Sequence, residues 1–125
     1  MTATRILIVD DDPDIREVLR MTLDMVLEDR GHQILTAADG KEALDVLCMC
    51  SPCLVLLDLM MPVMSGAELL AVMRRDDRLR DIPVVILSAW RQEALAIEGA
   101  QGFLGKPVDV SGVMGVIEKY CFGRP

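Results

Sequence analysis

The sequence predicts an α/β protein built on a parallel sheet covered on both faces. Two observations carry that expectation. Short strand-like runs (Ile6–Val9, Gln33–Thr36, Leu54–Leu57, Val84–Leu87 and Phe103–Leu104) alternate with segments whose apolar residues recur at helical spacing. Three of these runs, Ile6–Val9, Leu54–Leu57 and Val84–Leu87, are apolar without interruption, as strands buried on both faces are. Strands that alternate with helices in this way imply parallel pairing with crossover helices.

Each element has its own local signal. Ile6–Val9 ends at Asp10-Asp11-Asp12-Pro13. The helix that follows carries Ile15, Val18, Leu19, Thr22 and Val26 on one face and stops at Gly31. Gln33–Thr36 is a weaker strand. Asp39 then caps a helix with Glu42 as its capping-box partner; Ala43, Leu44 and Leu47 face inward, and the helix stops before Pro52. Leu54–Leu57 ends at Asp58, and Ser65-Gly66-Ala67-Glu68 is a second capping box that opens a helix through Leu69, Leu70 and Met73. Pro83 precedes Val84–Leu87, which ends at Ser88. A short helix over about Gln92 to Glu98 stops at Gly99. Phe103-Leu104 ends at Lys106-Pro107, and the last helix shows Val113, Ile117 and Tyr120/Cys121 at helical spacing. Gly112 and Gly115 are expected to soften that helix.

The 125 residues fit one domain, 1–125, and 52% apolar content excludes intrinsic disorder. With 20 acidic against 13 basic side chains, the net charge of −7 argues against a nucleic-acid groove and suits a cation or a basic partner surface. No targeting segment is visible, and no run approaches the roughly 18 apolar residues of a membrane span, so a cytoplasmic protein is expected. The four cysteines are too few for a secreted disulfide framework. Cys48, Cys50 and Cys53 lack the fourth ligand and the spacing of a metal-thiolate site, so reduced thiols at a helix end are expected. His32, the only histidine, reads as a solvated loop residue. Met60, Met61 and Met64 read as loop and core filling. Trp90 either anchors a partner or covers the rim of a site.

The polar residues at strand ends carry the chemistry. Asp10 and Asp11, Asp58, Ser88 and Lys106 each follow a strand, and the carboxyl ends of strands in an open α/β sheet share one edge, where ligands bind. Three carboxylates in close quarters repel, and one takes up a proton unless a cation sits among them. Oxygen ligands in that number, with room for water, suit Mg²⁺. An acid beside a divalent ion, an ammonium and a hydroxyl is a phosphoryl site, with Asp58 placed as nucleophile. Asp12 and Asp14 serve equally well as helix caps.

The segments Ile6-Leu7-Ile8-Val9-Asp10-Asp11-Asp12-Pro13, Leu54-Val55-Leu56-Leu57-Asp58-Leu59-Met60-Met61-Pro62, Val84-Val85-Ile86-Leu87-Ser88-Ala89 and Gly102-Phe103-Leu104-Gly105-Lys106-Pro107 stand in one order along the chain. In them the chain resembles the receiver domain of two-component response regulators over essentially its whole length. The resemblance implies a flavodoxin-like (βα)5 three-layer sandwich with strand order 2-1-3-4-5. It implies that Asp58 is phosphorylated from a histidine kinase or a histidine phosphotransfer protein. By the same resemblance Asp11 binds Mg²⁺ directly and Asp10 mainly through water, with Asp58 and the backbone carbonyl of Met60 completing the ligands. Ser88, Ala89 and Lys106 would bind phosphoryl oxygens, and the Lys106-Pro107 bond would be cis. Ser88 and Phe103 match a switch pair, in which the hydroxyl bonds the phosphoryl group and the ring fills the space it leaves. Met60 and Trp90 match the positions flanking the attacking water, and neither side chain can orient that water, so slow self-dephosphorylation is expected. The first helix is about one turn longer, and the fourth about one turn shorter, than is usual in the family.

The resemblance implies no activity beyond Mg²⁺-dependent self-phosphorylation and self-dephosphorylation, and leaves the downstream partner open. A stand-alone relay and one domain of a larger regulator both fit. Two rival readings remain on the same residues. An aspartyl phosphatase would want a second acid two residues after Asp58, where Met60 stands. A phosphorylation-independent interaction module would be expected to lose the acceptor, the acid pair or the lysine, and all are present.

Overall fold

The computed structural model describes residues 4–28, 31–59, 61–90, 92 and 97–123. Strands β1 (Thr4–Val9), β2 (His32–Ala37), β3 (Leu54–Asp58), β4 (Val84–Ser88) and β5 (Gly102–Gly105) pair in parallel in the order β2-β1-β3-β4-β5. Helices α1 (Pro13–Val26), α2 (Gly40–Met49), α3 (Gly66–Arg75) and α4 (Val110–Cys121) cover the sheet. This is the expected fold and strand order. The short helix expected over residues 92–98 falls largely outside the described residues.

Period-two alternation divides the core into two layers. Leu7 and Val9 of β1, Val55 and Leu57 of β3, and Val84 and Ile86 of β4 pack with Ala43 and Leu47 of α2 and Leu69, Leu70 and Met73 of α3. Their neighbours Ile6, Ile8, Leu54, Leu56, Val85 and Leu87 face α1 and α4, meeting Leu19, Leu23, Val113 and Ile117. Each of the larger side chains here (Val, Leu, Ile and Met), withdrawn from water, contributes about 1.5–3 kcal/mol of transfer free energy. The register Val9↔Leu57 sets the next residues, Asp10 and Asp58, side by side, and Ser88↔Gly105 places Lys106 one step beyond β5.

The helix starts follow the cap chemistry. The Asp12 carboxylate accepts from the Asp14 N–H at 2.9 Å. Ser65 and Glu68 close a reciprocal box, each contact at 3.2 Å. At α2 the box is only half formed. Asp39 accepts from the Glu42 N–H at 2.8 Å, but the Glu42 carboxylate accepts from the Ala38 N–H instead of that of Asp39.

Three expectations are corrected. On α1 the buried row is Leu19 and Leu23, continued by the C-cap Leu27, whereas Val18 is 62% exposed. Leu19, Leu23 and Leu27 repeat every four residues and face the sheet; Val18 sits about 100° round the helix from Leu19, against the cleft beside Pro107. His32 opens β2 rather than lying in a loop, and its Nε2 is 2.8 Å from an Asp24 carboxylate oxygen of α1. Cys53 is joined to Cys121 by a disulfide, their Cα atoms 5.2 Å apart, while Cys48 and Cys50 are free thiols. Clustering in sequence concealed that pairing: α2 ends at Met49, and Cys53 leads into β3, where the end of α4 arrives from 68 residues away.

A polar clamp ties the amino ends of β4 and β5. Arg74 of α3 donates to the carbonyls of Arg80 (2.8 Å), Ile82 (3.0 Å) and Gly99, and to Gln101 Oε1 (2.8 Å). Gln101 Oε1 also accepts from the Val84 N–H at 2.7 Å, and the Gln101 carbonyl accepts from the Tyr120 hydroxyl of α4 at 3.0 Å.

Within α4, a Cβ on Gly112 would meet Asp109 Oδ1 and Leu104 Cδ2 at 3.1 Å, whereas one on Gly115 would meet nothing within 4 Å. Gly115→Ala should therefore raise stability by about 0.5–1 kcal/mol, read from the urea midpoint, and Gly112→Ala should recover less.

Candidate functional site

β1 lies between β2 and β3, so the sheet's topological switch falls at the carboxyl ends of β1 and β3, where a crevice opens. Asp10 is wholly buried there. Its Oδ1 accepts from the Asp12 N–H at 3.0 Å and its Oδ2 from Lys106 Nζ at 3.2 Å, while its carbonyl accepts from Arg16 at 2.8 Å. Asp58, 8% exposed, accepts from Lys106 Nζ at 3.4 Å. Asp11 is exposed, and one carboxylate oxygen from each of Asp10, Asp11 and Asp58 lies within 4.8 Å of the others. By donor type and spacing such a group could hold a divalent cation.

The Lys106 N–H extends the ladder to the Ser88 carbonyl at 3.0 Å, which sets its side chain beside the cluster. Its peptide bond to Pro107 is cis, as expected. Burial pulls the ammonium pKa down, but the charges and hydrogen bonds of Asp10 and Asp58 leave it raised overall. A raised folded-state pKa means that the attraction is fully present at neutral pH. It is lost only as pH climbs past the ordinary lysine value and through the folded one.

The remaining residues singled out from the sequence are arranged around this cluster. The buried Ser88 hydroxyl accepts from the Trp90 N–H at 2.9 Å and donates to the Trp90 carbonyl at 3.2 Å. Ala89 is exposed beside it, and the Trp90 ring is 68% exposed. Phe103 is half-buried against the layer under α2 and α3. Met61 and Met64 pack on that same layer, as loop and core filling would. Met60 lies outside the described residues.

Three features were not foreseen. Arg16 reaches back six residues, past the start of α1, to the Asp10 carbonyl, and nothing in its sequence context marks it out. Val63 has φ +66°, and the Met64 N–H donates to the Pro62 carbonyl at 2.7 Å, closing a tight three-residue turn after β3. Gly66 passes so near β3 that a Cβ would sit 2.4 Å from the Asp58 carbonyl oxygen and 2.8 Å from Leu59 Cα. Its place in a capping box was visible in the sequence; that contact with distant backbone was not. Gly66→Ala should cost about 2–4 kcal/mol in urea unfolding, although alanine is the better helix former, because backbone rather than a flexible side chain must move.

A doubly wound sheet with three clustered carboxylates at its switch point, two of them bridged by a lysine, defines a receiver-type α/β domain. The family model of the response regulator receiver domain matches residues 6–118, and the chain belongs to that family, a module of two-component signalling. It is similar to an uncharacterized 14.6 kDa protein of Leptolyngbya boryana, 36% identical over 96% of this chain and 92% of that one. It is also 40% identical to the sensor histidine kinase TmoS of Ectopseudomonas mendocina, over 82% of this chain but only 10% of the kinase. Among solved structures it is similar to the response regulator TrrA of Thermotoga maritima in complex with Mg²⁺-BeF, with 30% identity, a TM-score of 0.81, and coverage of 94% of this chain and 98% of that one. Among the described residues, no helix is long and apolar enough to cross a membrane.

Proposed function

We propose that Asp58 accepts a phosphoryl group from the phosphohistidine of a histidine kinase or histidine phosphotransfer protein, and that residues 1–125 act as one cytoplasmic receiver domain. The observation that carries this reading is the meeting of Asp10, Asp11, Asp58 and Lys106 at one rim. An Asp58 carboxylate oxygen attacks phosphorus; the P–O bond forms as the P–N bond to the donor imidazole breaks, and the imidazole leaves. Lys106, already within reach of Asp58, turns its ammonium to a phosphoryl oxygen.

The residues present fit Mg²⁺. Both Asp10 oxygens already accept hydrogen bonds, which favours contact through water and leaves Asp11 and Asp58 as the direct carboxylate ligands; the Met60 carbonyl joins them by the family resemblance alone. Bound there, Mg²⁺ supplies the positive charge that neutralises the phosphoryl oxygens. The Mg²⁺-BeF complex of the Thermotoga relative supports the same reading.

A phosphoryl group adds about −1.5 to −2 charge at this edge. The Ser88 hydroxyl leaves the Trp90 carbonyl to bond it, the Ala89 N–H joins, and the Phe103 ring follows into the vacated space. These moves bias a two-state packing read by a partner. A cleft of about 500 Å³ beside Lys106, lined by Ile15, Val18, Leu19, Pro107 and Val108, suits the apolar face of a donor helix.

With Mg²⁺ present, beryllofluoride should change the emission of Trp90, the only tryptophan, and acetyl phosphate should add one phosphoryl mass. Asp58→Asn should abolish both, and retention of either would overturn the assignment. Slow self-dephosphorylation is checked by the decay of the acyl phosphate. Met60→Asn combined with Trp90→Glu should shorten its lifetime about tenfold or more by orienting the attacking water, and an unchanged decay would refute that role.

A further inference from the structure

We propose that Cys53 and Cys121 form a thiol–disulfide exchange site, oxidised by small disulfides of the glutathione class, whose state sets how firmly the end of α4 is held to the sheet. This inference is independent of phosphoryl transfer. The bond joins the residue entering β3 to the last residue of α4, and both cysteines are half-buried, so neither is sealed from a small reagent. The thiol form is also accommodated: Cys53 Sγ lies 3.3 Å from the Arg5 carbonyl oxygen, an acceptor for the S–H once the bond is broken. Exposed Cys48 and half-buried Cys50 are free thiols on the approach to Cys53.

α4 is built so that the bond matters. Its fully buried anchors are Val113 and Ile117, and its first half contains both glycines. Beyond Ile117 its contacts with the sheet include the Tyr120 hydroxyl bond to Gln101 and the Cys121 bridge. The bridge closes a separation of 68 residues, so its loss frees a large loop in the unfolded chain as well as the last helical turn. In the exchange, one cysteine thiolate attacks the small disulfide and releases one small thiol; the second cysteine attacks the mixed disulfide and releases the other. Two electrons pass from the cysteine sulfurs to the reagent, and the two cysteine protons end on the two thiols released.

The test incubates the full chain in buffers of varied ratio of reduced to oxidised glutathione, followed by alkylation, peptide mass spectrometry and amide exchange. Cys53 and Cys121 should lose reactivity together while Cys48 and Cys50 stay alkylatable. Amides after Ile117 should exchange at least about tenfold faster in the reduced form, and the melting temperature should fall by about 10 °C. Cys121→Ser should fix the fast pattern at every ratio. Independent alkylation of the two cysteines, mixed disulfides as the end product, or equal exchange in both states would each overturn the proposal. The comparison of reduced with oxidised wild type decides it even if the variant fails to fold.

Discussion

The Lys106 ammonium, held between Asp10 and Asp58, is the contact on which the site depends. Without it, two buried carboxylates and a third close by would share one rim with no ammonium on their oxygens, and the electrostatic cost would fall on the end of the sheet. The arrangement gives each Asp10 carboxylate oxygen a hydrogen-bond donor and leaves Asp11 open to solvent. Two acids adjacent in the chain thus have unlike surroundings, one serving the protein and one facing whatever enters the crevice.

That contact is possible only because the sheet is in register. Lys106 and Asp10 are 96 residues apart in sequence, yet the pairings of β1 with β3, β3 with β4 and β4 with β5 bring the ends of these strands to one edge. The register is in turn held by strict alternation of large apolar side chains, since a slip of one residue would turn each strand's set to the wrong layer. Core packing and site geometry are therefore one constraint expressed at two places.

The strands, their order of function along the chain and the acids that end them were legible because an uninterrupted apolar run leaves few readings for the first polar residue after it. Asp10, Asp58 and Ser88 were visible for that reason, and Lys106 from its place after the short fifth strand. Val18 was misplaced because helical spacing shows which residues share a face but not which part of that face meets the sheet. The Cys53–Cys121 pair, the reach of Arg16 and the near contact of Gly66 with Asp58 were illegible for a common reason: each joins atoms whose closeness is decided by the packed fold. The capping boxes show the intermediate case. Ser65 with Glu68 closed as its local pattern implied, whereas the Glu42 side chain found the neighbouring N–H of Ala38.

The Arg74 clamp gives the domain two unlike ends. At the amino ends of β4 and β5 a guanidinium, carbonyls and one amide side chain interlock across α3, β4, β5 and α4. At the opposite end, the same strands finish in the Ser88 hydroxyl, bonded within its own turn to Trp90, and the Lys106 ammonium, paired with Asp10 and Asp58. The clamped end thus rests on hydrogen bonds to neutral acceptors around one guanidinium, whereas the crevice end rests on attraction between formal charges, so added salt should weaken the second more than the first.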